Sequence, residues 1–466
     1  MIGATRRMRW ILAILLFALT LPAVATRPHS ADEIEYFCFL RSLWFDHDLS
    51  FDNEYRYFAD AGYTRDPQFR QTFLDAETAT GLRPTFATIG AAIMWTPFYA
   101  VADAGVRVAR LAGSPVVADG FSWPYLAAVA WGSACYGFLS LLLSASLARR
   151  LTGRGSAAAI AVALGTPLVY YMYAQPGFAH ACSAFAVALL VWTWMRVRVT
   201  WSIGGVALVG ALAALVTMVR EQEAFVLIAP AADYAWTLIQ HRDRRAIRDG
   251  VVRAAVAGAA FTIAFLPQAA AYIALHGRLR PSPVVANKMD WTAPWATRVV
   301  ASPEHGWFFW SPLVVLALAG LVLMAVGREP PGMPARRTGL LLLVAVASQV
   351  YVSGSVATWT LAGAFGQRRF VGMTVCLVVG LAWLISRAAA VPTARALSAV
   401  AIVLTVWWNL GLAIQFGEHS MDRQRMEPLR NAYTTFVDVP VRLPSLVHRY
   451  LFDRASFYQS HSGSGG

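Results

Sequence analysis

The chain has 466 residues, of which 57% are hydrophobic and 14% are charged, and its formal net charge at pH 7 is +13. Soluble domains carry about 25% charged residues, so this composition excludes an ordinary soluble protein. Basic chains often bind nucleic acid. Here the apolar runs approach membrane-spanning length, so arginine-rich cytoplasmic loops explain the charge better, and we expect no nucleic-acid partner.

The first apolar run covers residues 10–21 and follows three arginines. Residues 23–25, Ala-Val-Ala, resemble a signal-peptidase site, so this segment is either a cleaved signal or a first transmembrane helix. We favour the uncleaved helix because many apolar runs follow it. Both readings put the chain from Thr26 onward outside the cytoplasm.

A long acidic and aromatic segment comes next, with eleven of the chain's 26 acidic residues between positions 28 and 87. The apolar stretch 88–104 contains Gly90 and Pro97, and counting it as a span would place the arginines after residue 148 outside the cytoplasm. We therefore interpret 88–104 as an interfacial helix on the outer surface. The first extracytoplasmic loop then covers residues 28–123.

The remaining apolar runs complete an all-α polytopic membrane protein. Arginines flank alternate loops, which is the pattern of short cytoplasmic connections. We predict about eleven transmembrane helices, with the N-terminus inside and the C-terminus outside. The predicted spans are 10–26, 124–148, 156–173, 179–195, 202–219, 223–240, 252–275, 306–327, 339–354, 370–386 and 396–413. Residues 1–413 thus form the membrane module, and 414–466 form a short extracytoplasmic tail.

Among the loop carboxylates, Asp32 and Glu33 stand out by position. They lie a few residues beyond the first span, where partial desolvation raises a carboxyl pKa and makes the group a usable base. An Asp-Glu pair is common, and most acids of this loop are expected to be solvated surface groups.

Basic residues at predicted outer span ends are the second set of candidates. Arg368 and Arg369 lie where the positive-inside pattern does not place a charged pair, so either function or interfacial snorkelling explains them. Arg220 lies in a predicted tight turn and either contacts a ligand or pairs with Glu221 or Glu223. His180 and His305, also at predicted outer boundaries, are either interfacial hydrogen-bonding residues or sugar and phosphate ligands.

Metal binding has only weak candidates. Asp46 and Asp48 flank one residue, a spacing that can hold Mg²⁺ or Mn²⁺. The four cysteines show no CxxC or Cys/His spacing, so neither a zinc site nor a disulfide framework is indicated. No cofactor is firmly implied, and a divalent metal remains an option.

The order of these motifs resembles membrane glycosyltransferases of the GT-C fold, specifically the protein O-mannosyltransferase-like and lipid A aminoarabinose transferase-like families. Asp32-Glu33 after the first span is followed by an aromatic segment, then by Arg41-Ser42-Leu43 and Asp46-His47-Asp48-Leu49. The resemblance covers the chain's topology and is specific in 32–49, 165–184, the Arg220 turn, 304–312 and 365–370. A lysine-proline pair of some members is Arg83-Pro84 here, and we expect no large folded C-terminal domain after the last predicted span.

The resemblance implies juxtamembrane helices in the first loop and a polyprenyl-phosphate-linked sugar as donor. It makes Asp32 the candidate base, with Glu33 second. Arginines suit a leaving lipid phosphate because the guanidinium stays charged and pairs bidentately. We therefore expect Arg368, Arg369 and Arg220, with His180 and His305, to bind the donor.

These features predict an inverting glycosyltransferase that modifies a lipid, glycan or protein acceptor on the extracytoplasmic face of a bacterial cytoplasmic membrane. A lipid-linked glycan transporter and a non-catalytic assembly subunit remain alternatives. The transporter predicts charged residues in mid-span around a central cavity. The assembly subunit predicts no charge-lined cavity beneath the first loop.

Overall fold

The computed structural model describes residues 2–64, 68–240, 243–327 and 334–458. Over these ranges the chain is helical and contains no β-strand, so the prediction of an all-α fold is confirmed. The α-helices are α1 (Ile2–Thr20), α2 (Ala31–Arg41), α3 (Asp52–Asp60), α4 (Gln68–Phe73), α5 (Gly90–Leu111), α6 (Trp123–Thr152), α7 (Ser156–Gly165), α8 (Leu168–Tyr173), α9 (His180–Val197), α10 (Ile203–Val219), α11 (Ile228–Gln240), α12 (Arg244–His276), α13 (Pro283–Ala286), α14 (Ala296–Val300), α15 (Trp307–Trp310), α16 (Leu313–Val326), α17 (Ala335–Gly354), α18 (Thr374–Ala388), α19 (Pro392–Gly417), α20 (Pro428–Tyr433), α21 (Val439–Phe452) and α22 (Arg454–Phe457).

Shorter turns of 3₁₀ or π helix connect several of these elements. The 3₁₀ segments are Leu21–Ala23, Glu221–Leu227, Leu361–Gly363 and Arg368–Met373, and the π-helical segments are Ser42–Asp46 and Thr434–Asp438. Some residues used in the topology prediction lie outside the described ranges, namely Arg242, Arg328 and the end of the tail, 459–466.

In the described part of the chain, six helical segments are long and apolar enough to cross a membrane. They are α6, α9, α12, α17, α19 and the segment Arg368–Ala388, which ends with α18. Four shorter apolar helices accompany them: Ile11–Ala23, α7, α10 and α16. The chain is thus a helical protein with several candidate spans, whereas the number eleven stays a prediction. The predicted span 223–240 is a 3₁₀ turn followed by the 13-residue α11, which buries Asp233.

Two predicted spans are broken helices. The run 156–173 divides into α7 and α8 at Thr166-Pro167, and the run 306–327 divides into α15 and α16 at Ser311-Pro312. Proline has no N–H to donate and disfavours a helical residue before it. Asn409 compensates at the first break, where its Nδ2 donates to the carbonyls of Leu164 (2.9 Å) and Thr166 (3.1 Å).

Small residues bring the apolar helices close together. A side chain at Gly320 would strike the Gly380 carbonyl, and one at Gly380 would strike the Ala317 carbonyl, so α16 and α18 cross with their backbones in contact. Gly210 meets the Ala257 carbonyl in the same way where α10 crosses α12. Such contacts are characteristic of helix packing in membranes, where van der Waals fit replaces the hydrophobic effect.

The first loop is itself folded against α6. Its helix α5 runs antiparallel to the start of α6, with Trp95 Nε1 donating to Ser133 Oγ (2.8 Å) and the Tyr125 hydroxyl donating to Asp103 (2.7 Å). Helix α5 is not among the six candidate spans. Its placement on the membrane surface therefore stays a prediction. Helices α2, α3 and α4 complete the loop, and we call the end of the bundle that carries it the loop end.

The described part of the C-terminal tail, up to residue 458, is also mostly helical. Helices α20 to α22 follow α19, and buried Glu418 at the end of α19 pairs with Arg442 (2.9 Å) and Arg449 (3.1 Å) of α21. Arg454 donates to the carbonyls of Ala23 and Val24. The tail therefore binds back to the end of the first apolar helix.

Candidate functional site

A cavity of about 580 Å³ opens at the loop end, between the first loop and the ends of the apolar helices. Its lining includes Asp32, His180, Arg220, Arg368 and Arg369, five of the residues singled out from the sequence. These residues come from four separate parts of the chain. The fold therefore brings the Asp32 carboxylate and three guanidinium groups to a single space, which Glu35 and Glu221 also line.

Asp32 is positioned by the first turn of α2. Ser30 caps this helix: its hydroxyl accepts from the Glu33 N–H (3.4 Å), and the Glu33 carboxylate accepts from the Ser30 N–H (3.2 Å). This reciprocal pair is a capping box, which fixes where a helix begins. It leaves the Asp32 side chain free to point into the cavity, where it is 46% exposed and pairs with Arg368 at 2.8 Å.

Arg368 and Arg369 begin the 3₁₀ turn that precedes α18. Buried Gln367 anchors this turn, because its Nε2 donates to the carbonyl of His305 (3.1 Å). Arg368 contacts Asp32 and lies over the ring of Phe178, with its guanidinium carbon 4.8 Å from the ring centroid. The Arg368 guanidinium therefore has both a carboxylate and an aromatic partner.

Arg369 is less well satisfied than Arg368. Its Nη2 makes a long contact with Thr358 Oγ1 (3.5 Å), and its Nη1 is buried with no hydrogen-bond partner in the described part of the chain. Buried polar groups are nearly always paired. Arg369 lines the cavity, so an anion bound there is a candidate partner for this guanidinium.

Arg220 lies in the extended break between α10 and the 3₁₀ turn Glu221–Leu227. Its Nη2 donates to Gln222 Oε1 (3.1 Å), while Gln222 Nε2 donates to the Arg369 carbonyl (2.8 Å). Arg220 also contacts His180 at the start of α9. A single hydrogen-bonded frame thus connects the Arg220 turn with the Arg369 turn.

The sequence left open whether Glu221 or Glu223 neutralises Arg220. In the structure Glu221 accepts from the Tyr272 hydroxyl, and Glu223 accepts from Ser183 Oγ (2.9 Å). Among the described residues, no direct ion pair joins Arg220 to either carboxylate. Glu223 still interacts with Arg220 electrostatically, and the Arg220 side chain lines the cavity.

Two predicted site residues lie outside the cavity. Glu33 is buried and accepts from the His29 N–H (2.9 Å) in its capping role, and burial raises its pKa to about 7. His305 is fully buried against Trp310, its Nε2 lies 3.1 Å from the Arg423 carbonyl, and burial lowers its pKa to about 4. Both side chains support the elements beneath the site rather than face it.

The weak metal candidates are also engaged elsewhere. Asp46 contacts Arg41 and accepts from Asn53 Nδ2 (2.8 Å), and Asp48 accepts from Ser42 Oγ (2.7 Å). Within the described ranges, no group of three or more His, Cys, Asp or Glu side chains is arranged to hold a metal ion.

Glu35 is a cavity residue that the sequence reasoning missed. It is three residues after Asp32 on α2, so the two carboxylates share a helix face. Glu35 is buried and accepts from Thr85 Oγ1 (3.0 Å) and from the Phe86 N–H. These bonds hold the segment whose residues 86–88 form one cavity wall. Burial, and secondly the charge of Asp32, raise the pKa of Glu35 to about 8. The i, i+3 spacing of Asp32 and Glu35 is the sequence signal that could have identified Glu35.

Lys288 is the second missed residue. It is the chain's only lysine among 39 basic residues, and it lines the cavity 5.7 Å from the centroid of the Phe86 ring. Backbone hydrogen bonds attach its loop to the end of α17, with the Ala357 N–H donating to the Lys288 carbonyl (2.7 Å). The cavity lining therefore carries four cationic side chains and three carboxyl groups, those of Asp32, Glu35 and Glu221. The excess of cationic groups suits an anionic ligand.

No protein-family model matches the chain, and no curated protein matches its sequence. The chemistry of this cavity is therefore the ground for a functional conclusion.

Proposed function

We propose that the protein is an inverting glycosyltransferase of the GT-C type that transfers a sugar from a polyprenyl-phosphate-linked donor to an acceptor. The observation that carries the proposal is the shared cavity, in which Asp32 lies beside Arg220, Arg368 and Arg369 at the ends of apolar helices. A base next to a phosphate-binding cluster is what this reaction needs.

The proposed step is a single displacement. The acceptor oxygen bonds to the anomeric carbon as the bond from that carbon to the phosphate oxygen breaks. The acceptor proton passes to the Asp32 carboxylate, and the leaving group departs as a lipid phosphate anion. Arginines near the breaking bond stabilise the charge that grows there, and they bind phosphate in a bidentate geometry.

The surroundings suggest different roles for the arginines. Arg368 is paired with Asp32, so it orients the base. Arg369, with its unpartnered Nη1, and Arg220 in the same hydrogen-bonded frame are then the phosphate ligands. Lys288 adds a fourth positive charge from the loop between α13 and α14.

A lipid donor also needs an apolar route to the cavity. Phe225 and Trp291 line one side of it, are 41% and 43% exposed, and contact one another with ring centroids 5.7 Å apart. Exposed aromatic side chains are typical of membrane interfaces. We propose that the polyprenyl chain enters between them, on the extracytoplasmic face of a bacterial cytoplasmic membrane.

The alternatives fit these surroundings less well. The charges of the cavity come from turns at helix ends rather than from the middle of long apolar helices, which favours a transferase over a transporter. An assembly subunit has no need of a charge-lined cavity beneath the first loop. The acceptor, whether lipid, glycan or protein, is left open.

The test is transfer by the purified chain in lipid nanodiscs, with polyprenyl-phosphate-linked sugars as donors and membrane extract as acceptor. Release of polyprenyl phosphate is measured. General-base catalysis contributes about 10²–10⁴-fold, so we expect Asp32→Asn to lower the rate at least about 100-fold. Asp60→Asn, in the same loop and 67% exposed, is the matched control and should act like wild type. Full activity of Asp32→Asn would refute the proposed base.

A further inference from the structure

A second cavity, of about 780 Å³, lies between α1 and the bundle. It shares no lining residue with the cavity at the loop end, which we call the Asp32 cavity. Helices α1, α6, α7 and α8 form its walls, and Phe17, Phe138 and Ile160 are typical of its apolar lining. We call it the α1 groove. Polar groups occur mainly at its two ends, where Thr20 and Tyr173 lie at one end and Arg149 and Ser156 at the other.

Helix α1 is attached to the bundle near its C-terminal end. The Phe17 ring stacks on Phe138 with centroids 4.4 Å apart, and Thr20 Oγ1 lies 2.7 Å from the Tyr173 hydroxyl. Two residues of the groove lining, Leu16 of α1 and Ile160 of α7, are 55% and 61% exposed. The groove is therefore open along α1 and α7, and an apolar ligand suits its lining because water gains few hydrogen bonds there.

The length of the groove indicates what fills it. Its lining follows α6 from Phe138 to Arg149, which at 1.5 Å per residue is about 16 Å. The hydrocarbon core of a bilayer is about 30 Å thick, so the groove covers about one leaflet. A transmembrane helix from another protein would extend over both leaflets, whereas a lipid acyl chain occupies one.

The charge at the Arg149 end indicates the headgroup. Arg149 lines the groove and is followed by Arg150 in the last turn of α6, and both are exposed. Juxtamembrane basic residues attract anionic lipids at short range. Lipid phosphate at this end would contact guanidinium groups while its chain extends toward Phe138.

We propose that the α1 groove binds one anionic phospholipid, with an acyl chain against Phe138 and Ile160 and its phosphate at Arg149 and Arg150. The bound lipid fills the space between α1 and α7. Because Ala25, just beyond α1, donates to the Tyr173 carbonyl (2.7 Å), the lipid also steadies the segment that leads to α2. This inference does not depend on the proposed glycosyl transfer.

The experiment measures lipid binding to the delipidated full chain by native mass spectrometry and by thermal shift. The probes are phosphatidylglycerol and phosphatidylcholine with identical acyl chains. We expect wild type to retain one phosphatidylglycerol and to bind phosphatidylcholine more weakly. The double variant R149Q/R150Q should lose this preference through a roughly tenfold or larger loss of phosphatidylglycerol affinity.

A second variant tests the groove itself. Ile160→Trp adds bulk at a groove position that is 61% exposed and should reduce binding of both lipids. Its control is Ile263→Trp, a 68% exposed position on α12 outside the groove, and the charge control is Arg395→Gln at the start of α19. Equal affinity of wild type for the two lipids, or full retention of lipid by Ile160→Trp, would overturn the proposal. A lipid-free dimer that Ile160→Trp dissociates would assign the groove to a second copy instead.

Discussion

Arg368 and Arg369 are adjacent in the chain but differ in what their guanidinium groups contact. Arg368 has a carboxylate partner at 2.8 Å and an aromatic face beneath it. Arg369 has one long contact and one buried nitrogen without a partner in the described structure. If an anion binds in this cavity, it satisfies Arg369 without breaking an existing ion pair.

Substitution of Arg369 should therefore weaken anion binding directly. A hydrogen bond to a charged group contributes about 1.5–3 kcal/mol, so we expect Arg369→Gln to raise the Kd for polyprenyl phosphate about tenfold to a hundredfold. Titration calorimetry on the nanodisc-embedded chain measures this without turnover. Arg430→Gln, a 71% exposed arginine of the tail, is the control. Unchanged affinity in Arg369→Gln would assign the phosphate to another group.

Glu35 should make the stability of the chain depend on pH. Its pKa is raised from 4.5 to about 8 in the folded protein. Between these values the unfolded chain is ionised while the folded chain keeps the proton, so stability is full at low pH and is lost as the pH rises toward 8. With a folded pKa of about 8, the free energy of unfolding should fall by roughly 2–3 kcal/mol between pH 6 and pH 9.

The variant Glu35→Gln should remove this loss, because the amide oxygen still accepts from Thr85 and Phe86 but does not titrate. Thermal unfolding in nanodiscs from pH 6 to pH 9 is the measurement. Wild type should lose more stability across this range than the variant. Parallel pH profiles for the two proteins would contradict the raised pKa.

At the residue scale, the sequence predicted part of the cavity and missed part of it. Asp32 was singled out by its position just after the first span, and Arg220 and Arg368 by their charge at predicted outer span ends. Glu33 differs from Asp32 only in which side of α2 it occupies, and that depends on the Ser30 cap and on burial against Gly177. Lys288 is brought to the cavity by backbone pairing with residues 355–357, a long-range contact that local patterns do not encode.

At the element scale, the positions of the site turns depend on helices that pack without side chains between them. The turn Arg368–Met373 leads directly into α18, which crosses α16 at Gly320 and Gly380. A larger residue at this crossing must push α18 outward, and the turn with its arginines would move with it. Composition predicted apolar helices here, but the close crossing follows from the fold.

We expect Gly380→Leu to destabilise the chain by about 1–3 kcal/mol, the usual cost of overpacking. Gly258→Leu is the matched control, since a side chain at Gly258 on α12 meets open space. Thermal unfolding compares the two variants, and binding of polyprenyl phosphate shows whether the arginine turn has moved. Equal stability of both variants would mean that the crossing is looser than described.

Hydropathy alone also did not predict the helix breaks. The runs 156–173 and 306–327 read as single spans because Pro167 and Pro312 lie within apolar sequence. Whether proline kinks a helix or ends it depends on what satisfies the freed carbonyls. Here Asn409 on the distant helix α19 does so at the first break.

At the scale of the whole molecule, the two ends of the bundle carry different charge arrangements. The loop end holds the Asp32 cavity. At the opposite end, Arg198 and Arg337 pair with the fully buried Asp233 at 2.8 and 2.6 Å. The positive-inside pattern assigned both arginines to cytoplasmic loops, and the structure adds that they also close a buried ion cluster. Which end faces the cytoplasm stays a prediction of that pattern.

The single lysine offers a direct test of this orientation. Lys288 is exposed and lies at the loop end, so the predicted topology places its amine outside the cytoplasm. A membrane-impermeant amine-reactive reagent should label the wild-type chain in intact spheroplasts. Lys288→Arg keeps the charge and removes the reactive amine, so its labelling should fall to background. The N-terminal amine, predicted inside, should react only in inverted vesicles. Labelling of Lys288 only in inverted vesicles would reverse the topology and place the Asp32 cavity on the cytoplasmic side, where the proposed donor would have to be supplied instead.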